Sequence, residues 1–270
     1  MKKLLFSAFL LTIFISFLAS CIIAVADYSG RGNFWPSYEF HRNLTLAQGG
    51  TVSLENTNGD IEIHGWNNDD VEIYAEEVKS RPDYTTIRFY RLGASEPKIR
   101  LDKFEDFIKI KSPGAGGSDE TSVFNYTLNV PHSVNLKDIL NNRGNILISD
   151  IYGKVEIDLV EGDLNIENFS GSLTSSIETG TIQAEVLDLR TEDEVRMTTR
   201  QGDITLYLQP DANASLEASA RNGEVSSDFD LKQPLPAQKI SAQLGVKGAL
   251  ISLSTLDGNI QIKKVQKAQK

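Results

Sequence analysis

The stretch from residue 143 to residue 187 repeats one short unit five times. The copies read RGNILISDI (143–151), YGKVEIDLV (152–160), EGDLNIENF (161–169), SGSLTSSIE (170–178) and TGTIQAEVL (179–187). Their glycines follow one another at intervals of nine residues. The same unit recurs outside this register as NGDIEI (58–63), QGDITL (201–206), NGEVSS (222–227) and DGNIQI (257–262). Self-similarity at a fixed short period predicts a repeat architecture.

Each unit predicts a corner followed by a short strand. Alternation such as Ile61-Glu62-Ile63 places aliphatic side chains on one face of a strand and polar side chains on the other. The glycine stands where the chain reverses, which requires a positive φ or a close approach of two backbones. The Asp or Asn that often follows it suits a corner because its side chain accepts local hydrogen bonds.

Two architectures produce this pattern. An all-β, right-handed β-solenoid with two strands per coil would have about 18 to 20 residues per coil and rise about 4.8 Å at each coil. About six coils would then lie between Asn141 and Lys264. An antiparallel β-sandwich or meander is the alternative, because Asn58-Gly59, Asn222-Gly223 and Asp257-Gly258 are favourable hairpin turns. The strict nine-residue step favours the solenoid.

The N-terminal half extends the strand prediction. Strands are expected at 51–54, 71–75, 98–101, 107–110 and 126–130, with a flexible loop at 113–118. The glycine unit is absent between about residues 80 and 130, which predicts an irregular cap that prevents end-to-end polymerisation. A longer loop is expected over 187–197. The solenoid domain is expected over residues 40–264.

The N-terminus has the features of an export signal. Met1-Lys2-Lys3 is a cationic start, Leu4 to Phe17 is an apolar run, and Leu18-Ala19-Ser20-Cys21 has the form of a bacterial lipobox. This pattern predicts a signal peptide over residues 1–20 and a lipid attached to Cys21. Two alternatives stay open: cleavage after Ala26 would remove residues 1–26 and release a soluble protein, and the uncleaved 23-residue run from Leu4 to Ala26 is long enough to span a bilayer. Residues 27–39 then form a linker, and residues 265–270 form a basic tail.

Charge and cysteine content exclude several classes of protein. Lys and Arg total 27 against 37 Asp and Glu, a net charge of −10, which disfavours nucleic acid as a partner. Cys21 is the only cysteine in the chain, so the exported domain has no disulfide framework, thiolate metal cluster or cysteine nucleophile.

These residues together resemble the bacterial adhesin-like family DUF4097. The resemblance rests on Gly49-Gly50-Thr51-Val52, the segment 56–63, Gly65-Trp66-Asn67, the segment 126–131 and the glycine units that end at 256–262, in that order over about residues 40–264. It implies a β-solenoid in an exported or membrane-tethered protein. The family defines no catalytic or ligand-binding residues, so the resemblance transfers none.

Few residues indicate chemistry. His41, His64 and His132 have no metal-binding spacing, and His64 and His132 read as loop or corner residues. The column after the glycines suggests either corner capping or, less readily, calcium; its members are Asp60, Asn145, Asp163, Asp203, Glu224 and Asn259. Acid pairs occur at Asp69-Asp70, Glu76-Glu77 and Asp158 with Glu161, but neighbouring strand residues point to opposite faces. No catalytic residue, metal or cofactor is expected.

The remaining candidate is a polar face between the paired aliphatic residues. It would carry Glu62, Glu156, Asn165, Thr174, Gln183, Thr205, Ser226 and Gln261. Trp35, Trp66 and Tyr38 could stack on sugars or close the end of the core.

The expected protein is an exported, lipid-anchored, non-catalytic solenoid of the bacterial cell envelope that binds a protein or glycan or acts as a scaffold. Alternatives are a carbohydrate-active lyase or hydrolase on the same fold, and an accessory protein of envelope-stress signalling. A soluble secreted or periplasmic location is the alternative to membrane anchoring.

Overall fold

The computed structural model describes residues 38–78, 99–114, 123–232 and 234–265. The predicted signal peptide, Cys21, most of the linker and Trp35 lie outside these residues, as does the basic tail after Val265. The strands are β1 (Glu39–Thr45), β2 (Thr51–Glu55), β3 (Ile61–Trp66), β4 (Asp70–Val78), β5 (Arg100–Lys103), β6 (Phe107–Lys111), β7 (Val123–Pro131), β8 (Asn135–Arg143), β9 (Ile146–Ser149), β10 (Lys154–Glu161), β11 (Leu164–Ser170), β12 (Ser172–Thr179), β13 (Ile182–Asp188), β14 (Glu194–Gln201), β15 (Ile204–Leu208), β16 (Ala214–Ala220), β17 (Val225–Ser227), β18 (Lys239–Leu244), β19 (Ala249–Asp257) and β20 (Ile260–Lys264). Within these ranges, no helix is long and apolar enough to cross a membrane.

The strands form two ten-stranded sheets that enclose one core. Sheet A has the order β1-β4-β7-β3-β9-β11-β13-β15-β20-β17, and sheet B has the order β18-β16-β19-β14-β12-β10-β8-β2-β6-β5. Eight consecutive strands of sheet A, from β7 to β17, pair in parallel. Eight consecutive strands of sheet B, from β16 to β6, do the same. The chain is therefore a β-solenoid of eight two-strand coils, as predicted, and not an antiparallel meander.

The coil length also agrees with the sequence period. Leu164 lies between Ile146 and Ile182 in sheet A, a step of 18 residues in each direction. Six coils are built from residues 135–264, and β2–β3 and β6–β7 supply two more. Seven steps of about 4.8 Å give the stack a height of about 34 Å.

The order of coils in space differs from their order in the chain at both ends. The β6–β7 coil lies outside the β2–β3 coil, and the last coil, β19–β20, lies between β14–β15 and β16–β17. Of the stretch 80–130, expected to form an irregular cap, the described parts contain β5, β6 and β7, and β6 and β7 each pair in parallel with the strands of the β2–β3 coil. β6 ends at Lys111 and β7 begins at Val123, so eleven residues separate these two strands, where five other coils have two.

Antiparallel strands flank the parallel stack. Sheet A continues through β4 to β1, while β5 and β18 pair with the two ends of sheet B. The segment expected as a loop over 187–197 is mostly strand, since β13 runs to Asp188 and β14 begins at Glu194. Only the five residues between them form a turn.

The core consists of the inward-facing aliphatic side chains of both sheets. Ile61, Ile146, Leu164, Ile182 and Ile204 stack at one position of successive sheet A strands and are at most 1% exposed. Burying each such side chain contributes about 1.5–3 kcal/mol relative to leaving it in water. The alternation seen in the sequence thus supplies one continuous core along the stack.

Glycines line the corner that leads from sheet B to sheet A, which we call the glycine corner. In stack order these residues are Gly59, Gly144, Gly162, Gly180, Gly202, Gly258 and Gly223. At Gly180, φ is +144°, and an added Cβ would lie 1.8 Å from the carbonyl oxygen of Gly162. Both predicted reasons for glycine therefore apply: the left-handed half of φ space and the close approach of one coil to the next.

Candidate functional site

The polar column after the glycines forms a hydrogen-bond ladder along the stack. The Asp60 carboxylate accepts the backbone N–H of Asn145 at 2.7 Å, the Asn145 side-chain oxygen accepts that of Asp163 at 3.0 Å, and the Asp163 carboxylate accepts that of Thr181 at 2.8 Å. Asp203 and Asn259 continue the pattern toward the far end of the stack at 2.7 and 3.1 Å. These side chains cap the corner, as one of the two interpretations predicted. Within the described ranges no group of three or more His, Cys, Asp or Glu residues could hold a metal ion.

A second set of bonds lies inside the same corner and was missed by the sequence analysis. The buried hydroxyls of Thr199 and Thr255 donate to the carbonyl oxygens of Gly180 and Gly202 at 3.2 and 2.9 Å. The buried Asn141 amide donates to the Gly59 carbonyl oxygen at 2.9 Å. The available signal was that polar residues occupy these strand positions where other coils carry Leu159 and Ile177.

The polar face predicted as one surface is divided between the two sheets. Glu62, Asn165, Gln183, Thr205, Ser226 and Gln261 belong to sheet A, whereas Glu156 and Thr174 belong to sheet B. The prediction of a single face was wrong because successive nine-residue units run alternately through sheet A and sheet B. Each sheet therefore has its own outer polar surface.

A shallow groove of about 600 Å³ lies on the outer surface of sheet B beside the glycine corner. Register places Ser176, Thr198, Ser254 and Ser219 side by side on successive strands, and Lys239 follows Ser219 on β18. We call the four hydroxyl residues the hydroxyl row. Glu178, Arg200, Leu256 and Arg221 form the neighbouring wall, and Gln238 also lines the groove.

The groove is cationic, in contrast to the chain as a whole. Its lining contains Arg200, Arg221 and Lys239 against one carboxylate, Glu178. Arg200 Nε lies 2.6 Å from Glu178 Oε2, and both side chains are about half exposed, at 51% and 55%. Among the described residues, Arg221 and Lys239 have no ion-pair partner. The groove therefore offers two uncompensated cations beside a row of hydroxyls.

The histidines occupy separate sites. His132 lies at a corner, where Nδ1 is 2.6 Å from the Asp150 carbonyl oxygen and the ring stacks on Tyr152 at 4.9 Å. His64 lies within β3, not in a loop as predicted, and its Nδ1 is 2.9 Å from Ser149 Oγ. It sits in a strand because His64 continues the pairing of β3 with β7 and β9 on the polar side. His41 contacts Glu72 at 3.0 Å.

The aromatic residues and acid pairs that the sequence analysis singled out make packing, hydrogen-bond or ion-pair contacts within the fold. Tyr38 packs on the core with its ring edge against Phe124, and Trp66 donates its indole N–H to the Asp70 carbonyl oxygen at 2.8 Å. Glu77 is buried while its neighbour Glu76 is half-buried, so the strand turns the two carboxylates to opposite faces. Glu161 pairs with Arg143 at 3.1 Å.

Comparison with solved structures supports the same fold. A proposed cell adhesion protein from Clostridium sporogenes is 14% identical to this chain, with a TM-score of 0.52. The match covers 85% of this chain and 100% of that one. A proposed adhesin from Bacteroides fragilis is 11% identical with a TM-score of 0.31, covering 84% of this chain and 97% of that one. A proposed lipid-binding protein from Parabacteroides distasonis is 13% identical with a TM-score of 0.32, covering 88% and 98%. At these identities the likeness to the first structure shows the fold alone.

Sequence comparison identifies the family. No curated protein matches the chain. The family model described as Toastrack DUF4097 matches residues 125–263, which include most of the parallel stack and the glycine units from Gly144 to Gly258. The chain belongs to the Toastrack DUF4097 family.

Proposed function

We propose that this protein is an exported, lipid-anchored, non-catalytic binding module of the bacterial cell envelope, with an adhesin-like role. The observation that carries the proposal is the groove on sheet B, where polar and cationic side chains project from adjacent strands. A sheet held by backbone hydrogen bonds presents such side chains at fixed spacing, which suits recognition of an extended ligand. The name of the Clostridium sporogenes protein suggests adhesion, and we extend that role to this chain because of the groove.

The N-terminal sequence supports the anchoring part of the proposal. Cys21 follows a lipobox, and acyl chains on its thiol and amine would hold the domain at a membrane at about 0.8 kcal/mol per buried CH₂ group. The solenoid would then stand in the aqueous phase with its polar surfaces available to ligands.

The anchoring test compares the full-length chain with its Cys21→Ala variant in the bacterial host. Intact mass and partitioning between membrane and soluble fractions are measured. We expect a wild-type chain that begins at Cys21, carries diacylglycerol and remains with the membrane, and a variant that is not processed there. A soluble wild-type chain that begins at Asp27 would overturn the lipid anchor.

The adhesion test uses a deletion strain. Attachment of cells to immobilised envelope polysaccharides and to host-cell layers is measured for the parent, the deletion strain and the complemented strain. We expect attachment to fall on deletion and to return with the wild-type gene. Equal attachment by all three strains would reject the adhesin-like role, and shortened polysaccharide in the medium would support the enzyme alternative.

A further inference from the structure

The groove on sheet B has a charge opposite to that of the whole protein. The chain carries a net charge of −10, yet the groove lining holds three cations and one carboxylate. An acidic surface repels anions at long range, so a local excess of positive charge focuses an anionic group on one place. The groove is therefore suited to a ligand that carries discrete negative charges.

The hydroxyl row runs across the strands, so the polar surface of the groove is elongated in that direction. It crosses β12, β14, β19 and β16 and ends at Lys239 on β18. Four strand spacings of about 4.8 Å make this path about 19 Å long. Such a path across the strands matches an elongated ligand with repeated polar groups better than a compact small molecule.

Buried hydrogen bonds hold the backbone beneath the groove. Thr199 and Thr255, whose neighbours Thr198 and Ser254 belong to the hydroxyl row, tie their strands to the glycine corner by buried hydrogen bonds. A site whose groups are already in place loses less conformational entropy on binding. The spacing of the hydroxyl row is therefore set by the fold.

The side chains indicate the chemistry of the ligand. Arg221 and Lys239 can each donate charge-assisted hydrogen bonds to a carboxylate. Serine and threonine hydroxyls, with the Gln238 amide, can exchange hydrogen bonds with sugar hydroxyls. Leu256 is partly exposed between Arg200 and Arg221 and offers an apolar contact for the C–H face of a sugar ring. Among the residues that the structure describes, the lining has no aromatic side chain on which nucleic-acid bases could stack.

We propose that the groove on sheet B binds a carboxylate-bearing polysaccharide, a polyuronate-type chain laid along the hydroxyl row with carboxylates at Arg221 and Lys239. This assignment rests on the proposed binding function and specifies its ligand class. Arg200, already paired with Glu178, orients the wall of the groove, and the hydroxyl row contacts the sugar hydroxyls.

The test measures binding of polygalacturonate oligomers to the full-length protein in mild detergent by isothermal titration calorimetry. The variant Arg221→Gln/Lys239→Gln removes both uncompensated cations. We expect it to weaken binding by about tenfold or more, because a charge-assisted hydrogen bond is roughly twice as strong as a neutral one. Ser254→Ala, in the hydroxyl row, is expected to weaken binding by about threefold.

The matched control is Lys137→Gln/Lys154→Gln. Both lysines are exposed on sheet B but lie outside the groove, so this variant changes the net charge equally. We expect binding within about twofold of wild type, since distant exposed charges are screened by salt. Equal weakening by both double variants would overturn the site. Far-UV circular dichroism and the thermal midpoint check that all variants fold.

Further ligands separate the remaining outcomes. Galactan, which lacks carboxylates, is expected to bind weakly or not at all, and equal binding would overturn the role of the cations. Polyglutamate that binds as tightly as polygalacturonate would overturn the polysaccharide assignment in favour of an acidic polypeptide. Failure of polygalacturonate to bind while the cells still attach through this protein would reject the ligand class and leave the adhesin-like function standing.

Discussion

The chain passes from one sheet to the other at both corners of the solenoid, but the two corners are built differently. At the glycine corner, five of the turns from sheet B to sheet A contain two residues, as between Thr179 and Ile182. At the other corner, which we call the open corner, the turns from sheet A to sheet B range from one residue after Ser170 to five after Leu208. Stacked glycines and a side-chain ladder run along the first corner, whereas among the described residues of the second only Gly153 and Gly171 stack and the turns differ in length. The comparison teaches that one closely stacked corner is enough to hold the coils in register.

An insertion tests this comparison most directly. Gly-Ser inserted after Gly180 separates the stacked backbones of three coils and breaks the ladder, so we expect loss of cooperative folding. The same insertion after Asp211, exposed at the open corner, is expected to cost about 1 kcal/mol or less because loop entropy grows slowly with length. Urea unfolding followed by circular dichroism measures both. Similar damage at the two sites would show that the corners do not differ.

A single methyl group tests the close approach at the glycine corner. The Gly180→Ala side chain would lie 1.8 Å from the Gly162 carbonyl oxygen at a φ of +144°. We expect a loss of about 3 kcal/mol in the free energy of unfolding. The control is Gly49→Ala, where φ is +71° but no atom lies within 4 Å, and the expected cost is about 1 kcal/mol. Equal costs in chemical denaturation would mean that φ alone, and not coil stacking, requires glycine.

The side-chain ladder is expected to contribute less. Asp163 accepts the backbone N–H and the hydroxyl of Thr181 at 2.8 and 2.9 Å, on the exposed side of the corner. Asp163→Ala should lower the unfolding free energy by about 1 kcal/mol, while Asp163→Asn, which keeps an acceptor, should lose less than half as much. The thermal unfolding midpoints of the wild type, Asp163→Ala and Asp163→Asn, measured under the same conditions, test this order. If Asn is as damaging as Ala, the carboxylate charge matters more than the capping bond.

A pH-dependent pair outside both corners gives the smallest effect. Glu55 on β2 lies 2.5 Å from Lys109 Nζ and 2.8 Å from Lys111 Nζ on β6. Hydrogen bonds from Lys109 and then Lys111 hold the pKa of Glu55 below its ordinary value of 4.5, against the opposing effect of burial. The stability from this pair is therefore complete above that ordinary value and is lost as the pH falls through the lowered pKa.

Glu55→Gln should remove this dependence. Between about pH 5 and about pH 3 the wild-type protein is expected to lose more stability than the variant. Glu217→Gln, which removes an exposed carboxylate from the same sheet, serves as the control. Parallel stability curves for wild type and Glu55→Gln would contradict the role of the pair.

The sequence predicted the coil better than the site. Nine-residue glycine spacing and aliphatic alternation were sufficient to predict the strands, the corner and the capping residues of 143–187. The hydroxyl row could not be predicted, because Ser176, Thr198, Ser219 and Ser254 come from four strands whose spatial order does not follow the chain. Thr199 and Thr255 were missed because their partners are backbone carbonyl groups of stacked turns; the signal in the sequence was only their polarity at a strand position where other coils carry Leu159 and Ile177.

The sequence by itself determined the all-β class, the period of the coil, the inward and outward faces of each strand, and the need for glycine where coils touch. These properties follow from backbone geometry and side-chain alternation within one unit. Only the tertiary structure decided which coil lies beside which, and therefore which side chains share the groove. The reason is that parallel strands pair through backbone N–H and C=O groups, which every coil possesses. The sequence of one coil therefore does not specify which other coil lies beside it.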